Sequence, residues 1–520
     1  MSGSVGRLLV ESARRAPGVV AVRFGGKSWT FADLDQASNR LARGLVARGV
    51  RTGDRVALYC INSPWFIIGY FAVLKVGAIV VPVNLLLHPE EVQFVLEDSG
   101  ARAIIYHELV EQAVAAVRPR LPEATELIAI GPAAIRGALR YDDLVDAHPP
   151  DAVLVEVATP EDTVAALLYT GGTTGTPKGV MLTHDNLLAN VASVVEALQV
   201  QKFGHDVIIT VLPMFHAFGA TTGVLAPIAA GATIVALPQF TPESTCRAIQ
   251  DERATVFLGV PTMYAMMANL PPGAAYDLGS LRCGISGGAA MPESVLRRFE
   301  ERYGVRIHEG DGPTECSPVT CVNPIAGPTK VGSVGVPVPN VEMAILDDEG
   351  RPMPNDTVGE VCVRGRSVMK GYWHQPEETR AVFHVGGWLR TGDLGKVDAD
   401  GYFYLVDRRK DMIIVHGINV YPRQVEDVLY RHPAVAEAAV IGVPNDFHGE
   451  MPKAFVALKP GEDVDARELI RFCRAHLARF EVPRRVEIRP SLPKSGAGKI
   501  LRRTLRQEEL AKRGPSRRSS

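Results

Sequence analysis

The run Tyr169-Thr-Gly-Gly-Thr-Thr-Gly-Thr-Pro-Lys-Gly179 lies between two apolar segments. Val164 to Leu168 before it has the composition of a buried strand, and Val180-Met-Leu182 after it is strand-like again. Gly171, Gly172 and Gly175 let backbone N–H groups turn toward an anion with no side chain in the way. Thr170, Thr173 and Thr174 add hydroxyl donors, and Lys178 adds a positive charge. The set suits a polyphosphate. No Gly-Lys-Ser/Thr follows the glycines, so the run is not the P-loop of NTPases. A ligand-free Gly/Thr hairpin is the plain alternative. Asp185 is placed to cap the next helix.

Outward from this run the chain alternates helical and strand patterns. Phe31 to Val50 carries Leu34, Ala37, Leu41, Leu45 and Val46 on one helical side. Arg55 to Tyr59 reads as a strand, and Pro64 to Val76 as a helix with Ser63 as cap. Gly77 to Val83 reads as a buried strand. This βαβ rhythm predicts a parallel sheet with helices on its faces. It returns from Val207 to His308. After Val331 the texture changes: Val341 to Ile345 and Gly359 to Arg364 alternate like antiparallel strands. A charged run, Asp407-Arg-Arg-Lys-Asp411, precedes a compact α+β pattern, and Arg409 reads as part of a solvated face. The expected fold is α/β: a large N-terminal domain of βαβ-type sheets plus a small β unit over residues 1–407, then a small mobile α+β C-terminal domain over 408–510. Residues 511–520 read as a basic, disordered tail.

Length and composition agree. The 520 residues are 46% hydrophobic and 22% charged, with a net charge of -2. That is enough to bury cores and too little positive charge to hold a nucleic-acid backbone. Seven cysteines are scattered without a metal-ligand pattern, as for free thiols in a reducing cytoplasm. The N-terminus lacks the apolar core of a signal peptide. The run from Trp65 to Leu87 is interrupted by Lys75, Pro82 and Asn84. The uncharged run from Ala217 to Pro242 is split by Gly231 into a helix-like and a strand-like half, so both read as buried core rather than transmembrane spans. The basic tail leaves a peripheral membrane contact open, and a homodimer is compatible with everything above.

The Gly/Thr run resembles the signature loop of the adenylate-forming superfamily: acyl-CoA synthetases, adenylation domains of peptide synthetases and luciferases. Its form, with Gly171 where many members have Ser, is similar to that of fatty-acyl-CoA ligases. Further motifs follow in the family's order. Pro213-Met-Phe-His-Ala-Phe-Gly219 matches the aromatic/His segment, which implies that His216 borders the acyl carboxylate. Gly284 to Met291, with Gly288 and Ala289, matches the segment lining the adenine and acyl pocket. His308 to Pro318 resembles the Tyr-Gly-x-Thr-Glu motif, which implies Glu315 as Mg²⁺ ligand, with Thr174 beside it, and Thr314 as phosphate donor. Asp311, followed by Gly312, stands where most members have an aromatic residue on adenine. Thr391-Gly-Asp393 implies Asp393 as ribose acceptor and Arg408 as the second ribose contact. Lys410 falls at the family's pivot, Gly417 on the face that meets the pantetheine tunnel, and Lys499 in the C-terminal lysine loop, in preference to Lys494.

The resemblance implies an acyl-CoA synthetase using ATP, Mg²⁺ and CoA. A carboxylic acid becomes acyl-AMP with release of pyrophosphate, and the acyl group then passes to CoA. Lys499, Thr174, His216 and Glu315 are the catalytic set it implies. Small residues in Gly219 to Gly223 and Gly287 to Ala290, with no charge among them, favour a medium- or long-chain fatty acid. An aryl, alicyclic or dicarboxylic acid, or an acyl-AMP ligase loading a carrier protein, is the alternative. A luciferase-like oxygenase and a non-catalytic AMP-binding regulator come after these.

Overall fold

Helix Pro64–Lys75 begins where Ser63 accepts the Phe66 N–H and Pro64 takes the first helical position. It is apolar all round because it lies between two sheets. Lys75 at its end is only 2% exposed. Its Nζ bonds Asp35 Oδ1 at 2.6 Å, Ser38 Oγ at 2.8 Å and Asn39 Oδ1 at 2.7 Å on helix Phe31–Ala47. The charge that breaks the apolar run is thus buried against a partner acid. On helix Phe31–Ala47, Leu34, Leu41 and Leu45 are buried, but Val46 is 51% exposed. Val46 lies past the edge of the stripe, where the helix reaches its final turn.

The structure, a computed structural model, describes residues 3–123, 125–149, 160, 162–170, 177–271, 273, 275–415, 418–445, 449–494 and 500–512. Among these residues, strands form a nine-stranded, an eight-stranded and two five-stranded sheets. In the eight-stranded sheet Arg55–Tyr59 runs parallel to Ile79–Pro82 and to Ala101–His107. Val164–Thr170 joins parallel to Ile79–Pro82, and Lys178–Thr183 returns antiparallel to it. The Gly/Thr run therefore joins two hairpin strands, with Thr170 opposite Lys178. In the nine-stranded sheet Val207–Thr210, Thr233–Ala236, Val256–Gly259, Cys283–Ser286 and Ile307–Asp311 are all parallel. One apolar cluster joins the sheets: Val56 and Leu58 on one side, Ile209 and Phe257 on the other, with Phe66 and Phe71 between.

The uncharged run from Ala217 becomes a helical stretch with a π-helical turn at Thr221–Leu225, ended by Gly231 at φ +77°, and then strand Thr233–Ala236. Among the described residues no helix is long and apolar enough to cross a membrane. All seven cysteines are free and buried.

Strands Val341–Leu346, Gly359–Gly365, Trp388–Val397 and Phe403–Arg408 form an antiparallel sheet. The C-terminal unit follows. Strands Val435–Asn445 and Gly449–Leu458 form its centre, with helices Pro422–Tyr430 and Ala466–His476 packed through Val425, Leu429 and Leu469.

Two local expectations need correction. Helix His184–Ala197 is capped by Thr183, whose side chain accepts the Asn186 N–H; Asp185 lies inside the first turn and pairs with Arg366. Thr183, two positions before Asp185, has the extended backbone that a cap requires. Arg409 is not merely solvated: it pairs with Asp348 at 2.7 Å and with the buried Glu360 at 3.3 Å.

Candidate active site

The parallel strands of the nine-stranded sheet end at a common edge, and a cavity opens there, as expected for ligand sites in α/β sheets. Pro213, His216 and Phe218 line it after the first of these strands, and Val260 after another. Ile285 to Gly288 and Gly310 to Gly312 complete the wall. The structure thus brings His216, Gly288, Asp311 and Gly312 around one space. His216 starts a short helix, its Nδ1 accepting the Phe218 N–H at 3.4 Å. Gly312 has a steric reason: a Cβ there would lie 1.9 Å from the Pro318 carbonyl oxygen. Asp311 is held through its backbone, its carbonyl accepting from the Thr320 N–H and hydroxyl at 3.0 Å each. Ala289 is exposed and is not part of this wall.

Glu315 lies in the turn Thr314–Cys316. Its Oε1 accepts from the Tyr372 hydroxyl at 2.9 Å, and its carbonyl accepts the Met369 N–H at 2.7 Å. Burial, and then the Glu315 charge, push the Tyr372 phenol well above its ordinary pKa, so it stays a donor. Lys178 stands 5.1 Å over the Tyr372 ring and bonds Glu378 at 2.5 Å. Tyr372 is therefore the piece that joins the Gly/Thr hairpin to Glu315; its strand pairs with Lys178–Thr183. Nothing in the pattern of Lys370-Gly-Tyr-Trp373 marks it beyond two aromatics after a glycine.

Asp393 and Arg408 are opposite each other on paired strands, with Arg408 Nε 3.3 Å from Asp393 Oδ1. The Asp393 charge is the first cause that raises the Arg408 pKa. Lys410 is exposed in the turn just beyond. Lys494 is taken by an ion pair with Glu437. Gly171, Gly172, Thr173, Thr174, Gly175, Gly417 and Lys499 lie outside the described residues.

Glu309, just before the cavity wall, is a further group that the motif reading passed over. It is 3% exposed and accepts the Met291 N–H at 3.0 Å. Burial pushes its pKa up to about 7, against the opposing charge of Arg423 at 3.9 Å. Its neighbours in sequence alternate polar and small residues, so pattern alone does not say which acid is inside.

A family model described as "AMP-binding enzyme" matches residues 9–373, and one described as "AMP-binding enzyme C-terminal domain" matches 424–499. The chain belongs to the AMP-binding enzyme family. It is an adenylate-forming acid–thiol ligase by class. A long-chain-fatty-acid–CoA ligase of Bacillus subtilis is 39% identical, over 96% of this chain and 94% of that one. The solved structure of an anthranilate CoA ligase with anthranoyl-AMP is 32% identical and superposes with a TM-score of 0.92 over 98% of each chain. ATP-bound MatB of Rhodopseudomonas palustris is 30% identical, with TM-score 0.88 over 97% of this chain and 98% of that one. Apo MatB, also 30% identical, gives 0.77 over 98% and 100%.

The donor set fits the cofactor expected of this family. Among the described residues no cluster of three His, Cys, Asp or Glu forms a metal cage. Mg²⁺ favours one carboxylate completed by water and substrate phosphates, which Glu315 can provide.

Proposed function

We propose that this enzyme activates a medium- or long-chain fatty acid with ATP and transfers the acyl group to CoA. The cavity carries this reading: its wall is mostly apolar, with glycines at Gly219, Gly287, Gly288, Gly310 and Gly312, and among the described residues no Lys or Arg lines it. A second substrate carboxylate would find no cation, and would face Asp311. The fatty-acid ligase of Bacillus subtilis supports the same substrate class. An aryl acid is the second reading. A Cβ on Gly287 would lie 3.2 Å from the Phe218 ring, so the glycine leaves a slot beside that ring, and the anthranilate ligase is structurally similar. The residue ranges 1–407, 408–510 and 511–520 remain our division of the chain, and the seven free thiols support a cytoplasmic enzyme.

In the first step a carboxylate oxygen attacks the α-phosphorus of ATP in line, and pyrophosphate leaves. Repulsion between anions is the obstacle, so the residues act by charge and position. His216 borders the carboxylate. Asp393 and Arg408 take the ribose, and Lys178 with Thr170, Gly171, Gly172, Thr173, Thr174 and Gly175 takes the leaving phosphates. The exposed Glu378 partner of Lys178 is a weak competitor for a polyphosphate. Glu315, with Thr174, would hold Mg²⁺, which supplies charge neutralisation on the phosphates. Thr314 and Gly312 flank the nucleotide, and Gly288, Ala289 and Asp311 wall the adenine. Lys499 is assigned to the α-phosphate and carboxylate.

In the second step the CoA thiol attacks the acyl carbonyl and AMP leaves. We assign this step to a second arrangement, reached by turning the C-terminal unit at Lys410 so that Lys499 withdraws and Gly417 faces the pantetheine arm. The higher score against ATP-bound than apo MatB supports the described arrangement as the one for the first step.

The test is labelled pyrophosphate exchange with a panel of acids, then AMP release with and without CoA. Fatty acids should drive exchange, and CoA should accelerate AMP release. Exchange with aryl acids alone would select the second reading. Exchange that CoA does not affect would move the acceptor to a carrier protein. Lys499→Ala should abolish exchange yet spare thioester formation from supplied acyl-AMP, and Lys410→Pro should do the reverse; equal loss of both half-reactions in both variants refutes the two arrangements.

A further inference from the structure

Two arginines of the C-terminal unit close on one carboxylate of the large unit. Asp407 sits at the end of strand Phe403–Arg408, just ahead of Lys410, and its side chain is 2% exposed. Its Oδ1 accepts from Arg502 Nη1 at 3.0 Å. Its Oδ2 accepts from the Arg423 backbone N–H at 2.8 Å. Arg423 continues to the Leu405 carbonyl through Nη1 at 2.6 Å. Arg502 continues to Glu426 through Nε at 3.0 Å and Nη2 at 2.5 Å, and to Asp411 at 3.4 Å. Arg502 stands shortly after Lys499 in the chain, at the start of helix Arg502–Lys512.

The position of these groups relative to Lys410 divides them. Asp411, Arg423, Glu426 and Arg502 follow it; Leu405 and Asp407 precede it. A turn of the chain at Lys410 carries Arg502 away with Glu426 and Asp411 but takes it off Asp407. Of three carboxylates around one guanidinium, two are kept in either arrangement and one exists in only one.

We infer that Asp407 is a positioning residue that latches the C-terminal unit in the arrangement of the first half-reaction, holding the segment that carries Lys499 through Arg502. This rests on the two-arrangement reading above. A contact biases an equilibrium only by what it contributes to one state and not the other, and the Asp407 bonds meet that condition. Release is tolerable because Arg502 leaves with Glu426 and Asp411 still paired to it, so no buried charge is stranded on the moving side. Asp407, left behind at an edge that the departing unit uncovers, regains water.

Asp407→Asn keeps the shape and one acceptor oxygen but removes the charge and sets an amide N–H₂ against a donor. Three readouts on the full chain test it: pyrophosphate exchange with ATP and a fatty acid, thioester formation from supplied acyl-AMP and CoA, and trypsin cleavage in Arg408-Arg409-Lys410. Exchange should fall about 10-fold, thioester formation should hold or rise, and cleavage should quicken. An equal fall in both half-reactions, or unchanged exchange, overturns the latch. If Asp407→Asn does not fold, Arg502→Gln must show the same one-sided loss, and an even loss overturns the proposal likewise. Lys410→Pro run beside them separates the two levels. If it spares exchange and blocks transfer while Asp407→Asn is even-handed, the latch fails and the hinge stands. If it does not separate the half-reactions, hinge and latch fall together.

Discussion

Replacing Tyr372 by Phe removes one atom from the site. That atom donates at 2.9 Å to Oε1 of Glu315, from a side chain that is 8% exposed. The ring remains, so the Lys178 ammonium keeps the aromatic face that it stands over at 5.1 Å. What is lost is a hydrogen bond to a charged acceptor, about 1.5–3 kcal/mol. At about 1.4 kcal/mol per decade, that is roughly a 10- to 150-fold loss of exchange rate if the carboxylate must be held for the first step. Global stability should change much less, because the strand pairing of Gly371 and Tyr372 with Met181 and Val180 is untouched. Pyrophosphate exchange measured across a MgCl₂ titration is the assay. The variant should be slower and need more Mg²⁺ for half its maximal rate. Tyr372→Leu, which also deletes the aromatic face, should lose about 0.5–2 kcal/mol more. A Phe variant with wild-type rate and unchanged Mg²⁺ dependence would mean that the hydroxyl does not position Glu315.

Asp206→Asn should cost about 3–5 kcal/mol of stability, read by denaturant unfolding, because Arg282 would lose its partner carboxylate, which is 1% exposed and meets it at 2.9 and 3.1 Å. Burial alone would raise the Asp206 pKa, but bonds from Arg282, Thr255 and the Gln201 N–H together lower it. Its stabilisation is therefore present above the ordinary Asp pKa and lost as pH falls through the depressed value, so wild type and Asp206→Asn should converge at acid pH. Glu309 has the opposite sign. Burial raises it from 4.5 to about 7, opposed by Arg423 and aided by Asp311 and Asp427. Between those values the folded chain holds more protons than the unfolded chain, so Glu309 makes stability fall as pH rises across that window. Glu309→Gln should flatten this slope and gain up to about 3 kcal/mol above pH 7; equal stability differences at pH 5 and pH 8 would refute it.

The segments that wall the cavity were legible in the chain because each is a local turn at the end of a strand. The glycines and threonines between Thr170 and Lys178 crowd into one short run that can be seen in the sequence, and its phosphate role is our proposal. Strand and helix periods from Arg55 to Asp311 were readable because burial on one face imposes them, and Gly231 marks a helix end through its positive φ. Asp393 and Arg408 could be named separately. Only the antiparallel register places them 3.3 Å apart, since pairing across strands carries no mark in either segment. The same holds for Tyr372 on Glu315 and for Arg502 and Arg423 on Asp407: each bond joins residues distant in the chain, and the types involved are common on any surface. Lys75 is the sharpest case. In sequence it is a charge that spoils an apolar run, and in the fold it is a buried cation, because helix Phe31–Ala47 brings Asp35, Ser38 and Asn39 within bonding distance. Local composition determined which pieces could form; the packing of distant elements decided which charges are buried, which are paired and which are left facing the site.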